Sequence, residues 1–267
     1  MVPVDPAPAS YPEPRESAGT FDILLSLAAS DLRARYGQGS SRLLKWLLDA
    51  YATLGVYLLL VAVFLDRPGR AVGLSLACAI VPFQFLMSTV TNALDGVRIR
   101  QSVLTNMDFP RMLIPVTSVV TETVGFCANL TLLPLMMVVY GVSPTGEIAL
   151  LPVVLLVTLV LATGLAYSAS LAGVWFPELR QVLISFVRAL FFLAPGIVAL
   201  GQIHGTAHDL VKLNPLTGIF ESYRDILLNG DVPEPWMLLY PLAAAGLLLG
   251  LVVPLYRRDQ RHFPKVA

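Results

Sequence analysis

Six long apolar runs, separated by short polar segments, set the pattern of the chain. They cover about 43–65, 71–94, 112–140, 148–173, 182–203 and 237–256. Each is about as long as the roughly 20 residues that carry a helix across a bilayer. The pattern predicts an all-α integral membrane protein with six transmembrane helices. Two other segments read as amphipathic helices. In 20–36, Phe21, Leu24, Leu25, Ala28 and Leu32 recur at helical spacing, with Asp22, Ser26, Ser30 and Arg33 on the other side. This helix is too polar to span, and Thr20 suits its N-cap. It lies in the membrane interface or packs on a soluble partner. In 213–230, Asn214 suits a cap, Pro215 the first helical position and Asn229-Gly230 the end. Ile219, Phe220, Tyr223, Ile226 and Leu227 make its apolar face; Glu221, Ser222, Arg224 and Asp225 make its polar one. Two readings fit: a re-entrant segment closing the outer end of a pathway, favoured by the Ala194-Pro195-Gly196 break before it, or a cap helix on the outer surface.

Composition agrees. The chain is 267 residues long, 56% hydrophobic and 13% charged, with mean hydropathy +0.72. A soluble domain carries roughly 25% charged residues. Net charge is zero, so nothing suggests a nucleic-acid partner. Charge placement sets the orientation. With the N-terminus inside, fourteen of the eighteen Lys and Arg fall on that side and four (Arg67, Arg70, Lys212 and Arg224) on the other. The expected location is the plasma (bacterial inner) membrane, multi-pass, with both termini, the 95–111 loop and the 175–181 loop cytoplasmic. Residues 204–235 then face out. The expected division is a disordered Pro-rich tail over 1–19, a transmembrane domain over 20–256 and a basic cytoplasmic tail over 257–267. The tail has no apolar core, so no cleavable signal peptide is expected. Cys78 and Cys127 lie in apolar runs and read as free thiols.

Candidate chemistry is sparse. No G-x-x-x-x-G-K-[ST] is present, so this chain does not hold ATP in a P-loop. No nucleophile-and-base set stands in a soluble domain, so the chain reads as a transport subunit, not an enzyme. Energy then enters from an ion gradient or a partner ATPase. The polar island Val97–Pro115, with Arg98, Arg100 and Arg111, is the place for a partner to push. Glu122 in the third run must face protein or water; it is a proton carrier, a substrate contact or a hydrogen-bond partner of a neighbouring helix or Asn129. Arg188 in the fifth run can snorkel inward or face a pathway. His204 and His208 share helical spacing, but no third ligand has suitable spacing, and no metal is expected. Tyr51, Tyr57, Phe83, Phe85, Phe191 and Phe192 are candidates for packing or for lining a sugar channel.

In four places the chain resembles the permease subunits of ABC-2 type transporters, most closely exporters of lipid-linked polysaccharide such as O-antigen, galactan and teichoic acid. The matching pieces are DLRARYGQGSSRLLKWLL at 31–48, NMDFPRMLIP at 106–115, WFPELRQVL at 175–183 with FFLAPGIV at 191–198, and LNPLTGIFESYRDILLNG at 213–230. One departure is Gly37-Gln38-Gly39 after Tyr36, where such proteins carry a basic run. The resemblance implies a homodimer working with two copies of a separate nucleotide-binding ATPase, which would hold ATP and Mg; this chain would hold no cofactor. It implies docking of that ATPase through the N-terminal helix and the loop after the second span, which places Phe21, Asp31, Arg33, Arg35, Arg98, Arg100, Asp108 and Arg111 at the contact. It implies an outer gate between spans five and six, with Pro195, Asn214, Pro215, Phe220 and Tyr223. A lipid-linked glycan would pass between protomers, with its tail on the membrane-lipid side. Permeases for drugs or lipids share the six-span plan, and an ion-coupled secondary transporter using Glu122 is the alternative from another class.

Overall fold

The computed structural model describes residues 20–36, 48, 51–52, 55–56, 71–100 and 110–260. Most of the expected first span, Tyr57, Asp108 and the tails lie outside them. Every regular element among the described residues is helical. They are α1 (Thr20–Tyr36), α2 (Val72–Ile99), α3 (Leu113–Asn129), α4 (Leu132–Tyr140), α5 (Leu151–Trp175), α6 (Arg180–Leu193), α7 (Thr206–Lys212), α8 (Pro215–Arg224) and α9 (Pro235–Asp259). Among the described residues, four segments are long and apolar enough to cross a membrane: Val72–Ile99, Leu113–Tyr140, Gly146–Trp175 and Pro235–Asp259.

Two expected boundaries shift and two expected spans are interrupted. α2 continues about a turn past residue 94, so Asp95 to Ile99 are helical and the polar island begins on a helix. α9 likewise carries Arg257 and Arg258 in its last turn. The third span is interrupted between α3 and α4. Pro134 has no N–H for the Leu130 carbonyl. The chain there tightens to three-residue bonds: Thr131 N to Ala128 O at 3.2 Å and Leu133 N to Leu130 O at 3.1 Å. The fifth span is not one helix over 182–203. α6 has 14 residues, after which Ala194 turns extended. Such a helix rises about 21 Å, short of the roughly 30 Å of bilayer hydrocarbon. Hydropathy carries on through Ile197, Val198 and Leu200, but Pro195 cannot donate to the ladder.

α2 is the central element. It packs against α5, α3, α8, α4 and α6, and α5 in turn packs against α9. In lipid, helices gain little from apolar burial alone, and close backbone approach matters more. Two glycines provide it. A methyl at Gly173 on α5 would collide with the Leu94 carbonyl on α2, and one at Gly218 on α8 would collide with the Met237 carbonyl on α9. α1 lies against α3. The outward faces are apolar: Leu239, Leu247 and Leu251 on α9, Leu156 on α5 and Val138 on α4 are all exposed.

Candidate functional site

The outer end is built from the break after α6. Pro195 and Gly196 leave their carbonyls without helical donors, and the amide of Leu200 also needs a partner. α8 supplies them. Asn214 Oδ1 accepts from the Leu216 amide at 3.0 Å and caps α8, as its sequence predicts. Its Nδ2 donates to the Leu190 carbonyl at 2.8 Å, fixing α8 against the end of α6. Arg224 then donates from Nη1 to Pro195 O at 2.6 Å and from Nη2 to Gly196 O at 3.0 Å. Its Nε reaches Ser75 on α2, at 3.2 Å to the carbonyl and 3.0 Å to Oγ. Glu221 Oε1 accepts from Arg224 Nη1 at 2.6 Å and from the Leu200 amide at 2.9 Å.

This corrects the expected polar face of α8. Glu221, Ser222 and Arg224 are 6%, 0% and 1% exposed, as buried as Phe220 and Tyr223 opposite them. A buried ion pair stands only when its remaining donors and acceptors are also satisfied. Here the unpaired carbonyls of the break do that. Asp225 follows in a π-helical turn, Asp225–Asn229, which ends at left-handed Gly230 with φ 72°. Burial raises the Asp225 carboxyl above its ordinary range. Nearby Glu221, Asp231 and Glu234 add to the rise, and a 3.0 Å hydrogen bond from Asn229 opposes it.

The cytoplasmic end is cross-linked differently. Arg100 is turned inward: its guanidinium pairs with Asp31 on α1 and donates to Gly96 O at 3.1 Å. Burial lowers its pKa, and Asp31 opposes that. Arg180, at the start of α6, forms a two-pronged bond with Asp95 on α2 at 2.7 and 2.6 Å, which raises its pKa. Arg111 donates to the Gln260 carbonyl beyond α9. Tyr256 on α9 is fully buried. Its hydroxyl lies 3.4 Å from Arg111 O and 3.2 Å from Ser170 Oγ, and Tyr167 donates to Met112 O at 2.9 Å. The two tyrosine rings meet edge to face at 5.5 Å. Both described ends of the polar island are thus fastened, one to α1 and the other to α5 and α9. Phe21, Arg33 and Arg98 are exposed. Arg35 sits on the last turn of α1.

Between the ends, Glu122 is buried and accepts a hydrogen bond from Asn92 on α2, the neighbouring-helix contact among its expected roles. Phe85 stacks on Phe126 at 4.5 Å, and Phe191 sits among Phe83, Phe192 and Phe220 at 4.6, 5.4 and 5.9 Å. Phe85 and Phe191 are core packing within the protomer, Phe83 is nearly so, Tyr51 is half-buried and Phe192 is exposed. Arg188 is exposed on α6. His208 lies 3.4 Å from Asp209. Among the described residues no group of three acidic, His or Cys side chains is placed to hold a metal.

No family model matches the chain. It is 26% identical over 243 residues to the O-antigen export system permease protein RfbA of Myxococcus xanthus, which covers 90% of this chain and 94% of that one. It is 22% identical over 238 residues to an RfbA permease of Klebsiella pneumoniae, covering 87% and 89%. A further Klebsiella pneumoniae RfbA permease is 21% identical over 235 residues. This chain is similar to O-antigen export permeases.

The similarity spans nearly the whole chain, and the four apolar helical segments among the described residues agree with a multi-pass membrane protein. The sequence located the pieces of its two ends but missed what joins them. Ser75, Glu221 and Arg224 went unnoticed as a unit, as did Asp95, Tyr167, Ser170 and Tyr256. One signal was available. A Pro-Gly break inside an apolar run creates orphan backbone groups, and an acid and an arginine three apart on the next helix are suited to satisfy them.

Proposed function

We propose that this chain is the membrane-spanning subunit of an ATP-driven exporter. It moves a lipid-linked polysaccharide from the cytoplasmic side across the plasma membrane. The observation that carries this is similarity to O-antigen export permeases over about nine-tenths of a chain whose sequence has no P-loop. A separate ATPase, in two copies and holding ATP and Mg, provides the energy, and two copies of this chain form the membrane body. Both termini are cytoplasmic.

In this reading the ATPase meets α1 and the polar island. Phe21, Arg33 and Arg98 present the contact surface, while Asp31 and Arg100 hold α1 to the end of α2, so that a push on either moves both. Arg111, Tyr256 and Tyr167 pass the displacement to α9 and α5. At the outer end α8 is a re-entrant gate helix, held shut by Arg224 and Glu221 against the break at Pro195.

The ion-coupled alternative would need Glu122 to titrate, and its bond to Asn92 favours a structural role. The deciding experiment is purification of the tagged chain from its native membrane, together with deletion of its gene. The expected result is a co-purifying ATPase and loss of surface polysaccharide with accumulation inside the cell. Absence of any ATPase sinks the proposal.

A further inference from the structure

α6 is fastened near its two ends and slack between them. It runs antiparallel to α2, joined to it by Asp95–Arg180 at the cytoplasmic end and by Phe83–Phe191 toward the outer end. The two joints are about 17 Å apart along the helices. Between them lies an apolar cavity of about 160 Å³. Leu94 of α2, Leu165 and Ala169 of α5, and Leu183, Phe186 and Val187 of α6 line it. α2 and α5 meet differently. At Gly173 their backbones touch, with no room for a methyl beside the Leu94 carbonyl. Close packing passes a displacement from one helix to the next, whereas the walls of a void have no facing atoms to push against. α2 and α5 therefore move as one body, and α6 follows that body through its two joints.

The inner joint is placed to move the helix. Arg180 is the first residue of α6, so a pull on its guanidinium acts on the helix start. Its Nε and Nη2 donate to Asp95 Oδ1 and Oδ2 at 2.7 and 2.6 Å. Two parallel bonds fix orientation as well as distance. Asp95 stands one turn before Arg98, at the end of α2 where the ATPase is placed above. The pair is partly exposed, and such pairs add little to stability. The outer joint is different: Phe191 is fully buried. Beside it, Asn214 holds the Leu190 carbonyl, and Arg224 holds those of Pro195 and Gly196. Whatever tilts α6 thus loads the break at Ala194 and, through it, α8.

We propose that Asp95 and Arg180 are positioning residues for the ATP-driven step. Their ion pair carries movement of the α2 end to α6, and α6, turning about Phe83–Phe191, carries it to the break that holds α8. This rests on the export reading above. In this role neither residue touches ATP or cargo. The arrangement suits a transmission. The pair is directional but adds little stability, so it can part and re-form as α2 moves. The outer contacts are buried and stay made. The break supplies the flexible point, because Pro195 cannot continue the helical ladder.

Variants of the full chain test this with its ATPase partner in native membranes. Asp95→Asn and Arg180→Gln should each lower surface polysaccharide about fivefold or more, the size of a typical coupling loss. The ATPase should still co-purify and hydrolyse ATP, and the unfolding midpoint should stay at the parental value. Asp95→Asn combined with Arg180→Gln should export no worse than either single variant, because the same joint is lost only once. Asp95→Glu and Arg180→Lys keep the charges and should retain most of the export. Asp259→Asn removes a different cytoplasmic contact, the 3.0 Å bond from Trp175 Nε1, and should export normally. Normal export by both neutral variants overturns the proposal. Additive losses in the double variant also overturn it, since the two residues then act independently. So does loss of the ATPase from either single variant, which makes the pair a docking contact, or a fall in unfolding midpoint that tracks the export loss, which makes it structural. An equal loss in Asp259→Asn overturns it as well, since any contact at this level then matters as much. Failure of the unmutated chain to retain an ATPase sinks the exporter reading itself, whatever these variants do.

Discussion

Arg224 donates to the carbonyl of Pro195 at 2.6 Å, across 29 residues of chain. The bond joins the helix after the break to the break itself. Its energetics follow from burial: the Arg224 side chain is 1% exposed and that of Glu221 8%. Removing the guanidinium leaves a buried carboxylate and two unbonded carbonyls. Arg224→Ala should therefore destabilise the protein by on the order of 3–5 kcal/mol. Arg224→Met with Glu221→Leu should cost clearly less, because no charge is stranded. Thermal unfolding in detergent checks this, and a double variant worse than the single one contradicts it.

The two cytoplasmic ion pairs should differ in the same measurement. The Arg100 side chain is 8% exposed, whereas those of Arg180 and Asp95 are 40% and 26% exposed. Solvent screens the second pair, and such bonds are worth about 0–1 kcal/mol. Asp95→Asn should barely move the unfolding midpoint. Asp31→Asn should lower it and loosen α1, read as faster proteolysis between α1 and α2. Equal effects from the two variants would contradict the burial argument.

Much of this architecture was legible because it is local. The Asn214-Pro215 start of α8 and the Gly230 stop of the π-helical turn that continues it depend on a few adjacent residues, and both appear in the structure as the sequence predicts. Four of the six expected spans were legible for the same reason, as hydropathy needs no tertiary partner. The end of α6 was legible only in part. The Ala194-Pro195-Gly196 break stands out in the sequence, but hydropathy reads through it because Ile197 and Val198 are apolar, so the run reads as one span to 203. Glu221 and Arg224 failed in the opposite direction. A helical wheel assigns charges to solvent, and nothing local reveals that three orphan groups elsewhere in the chain require them. Tyr256 likewise carries no local signal: Ser170 and the Arg111 carbonyl reach it only in the folded chain.

Asp225 gives a pH prediction. Its carboxyl is raised, first by burial and then by neighbouring acids. The folded state thus holds the proton more tightly than the unfolded one. The sign follows: this group's favourable contribution is complete below the unfolded carboxylate pKa of about 3.9 and is lost as pH rises through the folded value. Above the folded value the ionised group destabilises the outer end. Asp225→Asn should raise the unfolding midpoint at neutral pH, and the advantage should shrink on acidification toward about pH 4. An advantage that does not change with pH would point to packing in place of charge.

Glu122→Gln separates the transport classes. Glutamine keeps an acceptor for Asn92 at the same place and removes the proton chemistry. If Glu122 is structural, export and ATPase activity should persist with the parental pH profile. Loss of export with intact assembly and folding would instead make it the titrating group of an ion-coupled carrier.

The sharpest test of energy entry uses two arginines two residues apart. Arg98 is exposed on the last turn of α2, whereas Arg100 is buried against Asp31. Both were expected at the ATPase contact, but they stand in different environments. Arg98→Glu reverses a charge on the surface and disturbs no buried partner. It should weaken ATPase co-purification and abolish export, with membrane insertion and unfolding midpoint unchanged. Arg100→Glu sets two acids against each other under α1. It should lower the unfolding midpoint first, and any loss of ATPase binding should follow from a displaced α1. A swap restores the distinction: Arg100→Asp with Asp31→Arg should recover part of the stability, whereas no substitution within this chain should rescue Arg98→Glu. Normal assembly and export by Arg98→Glu would remove this loop from the docking surface.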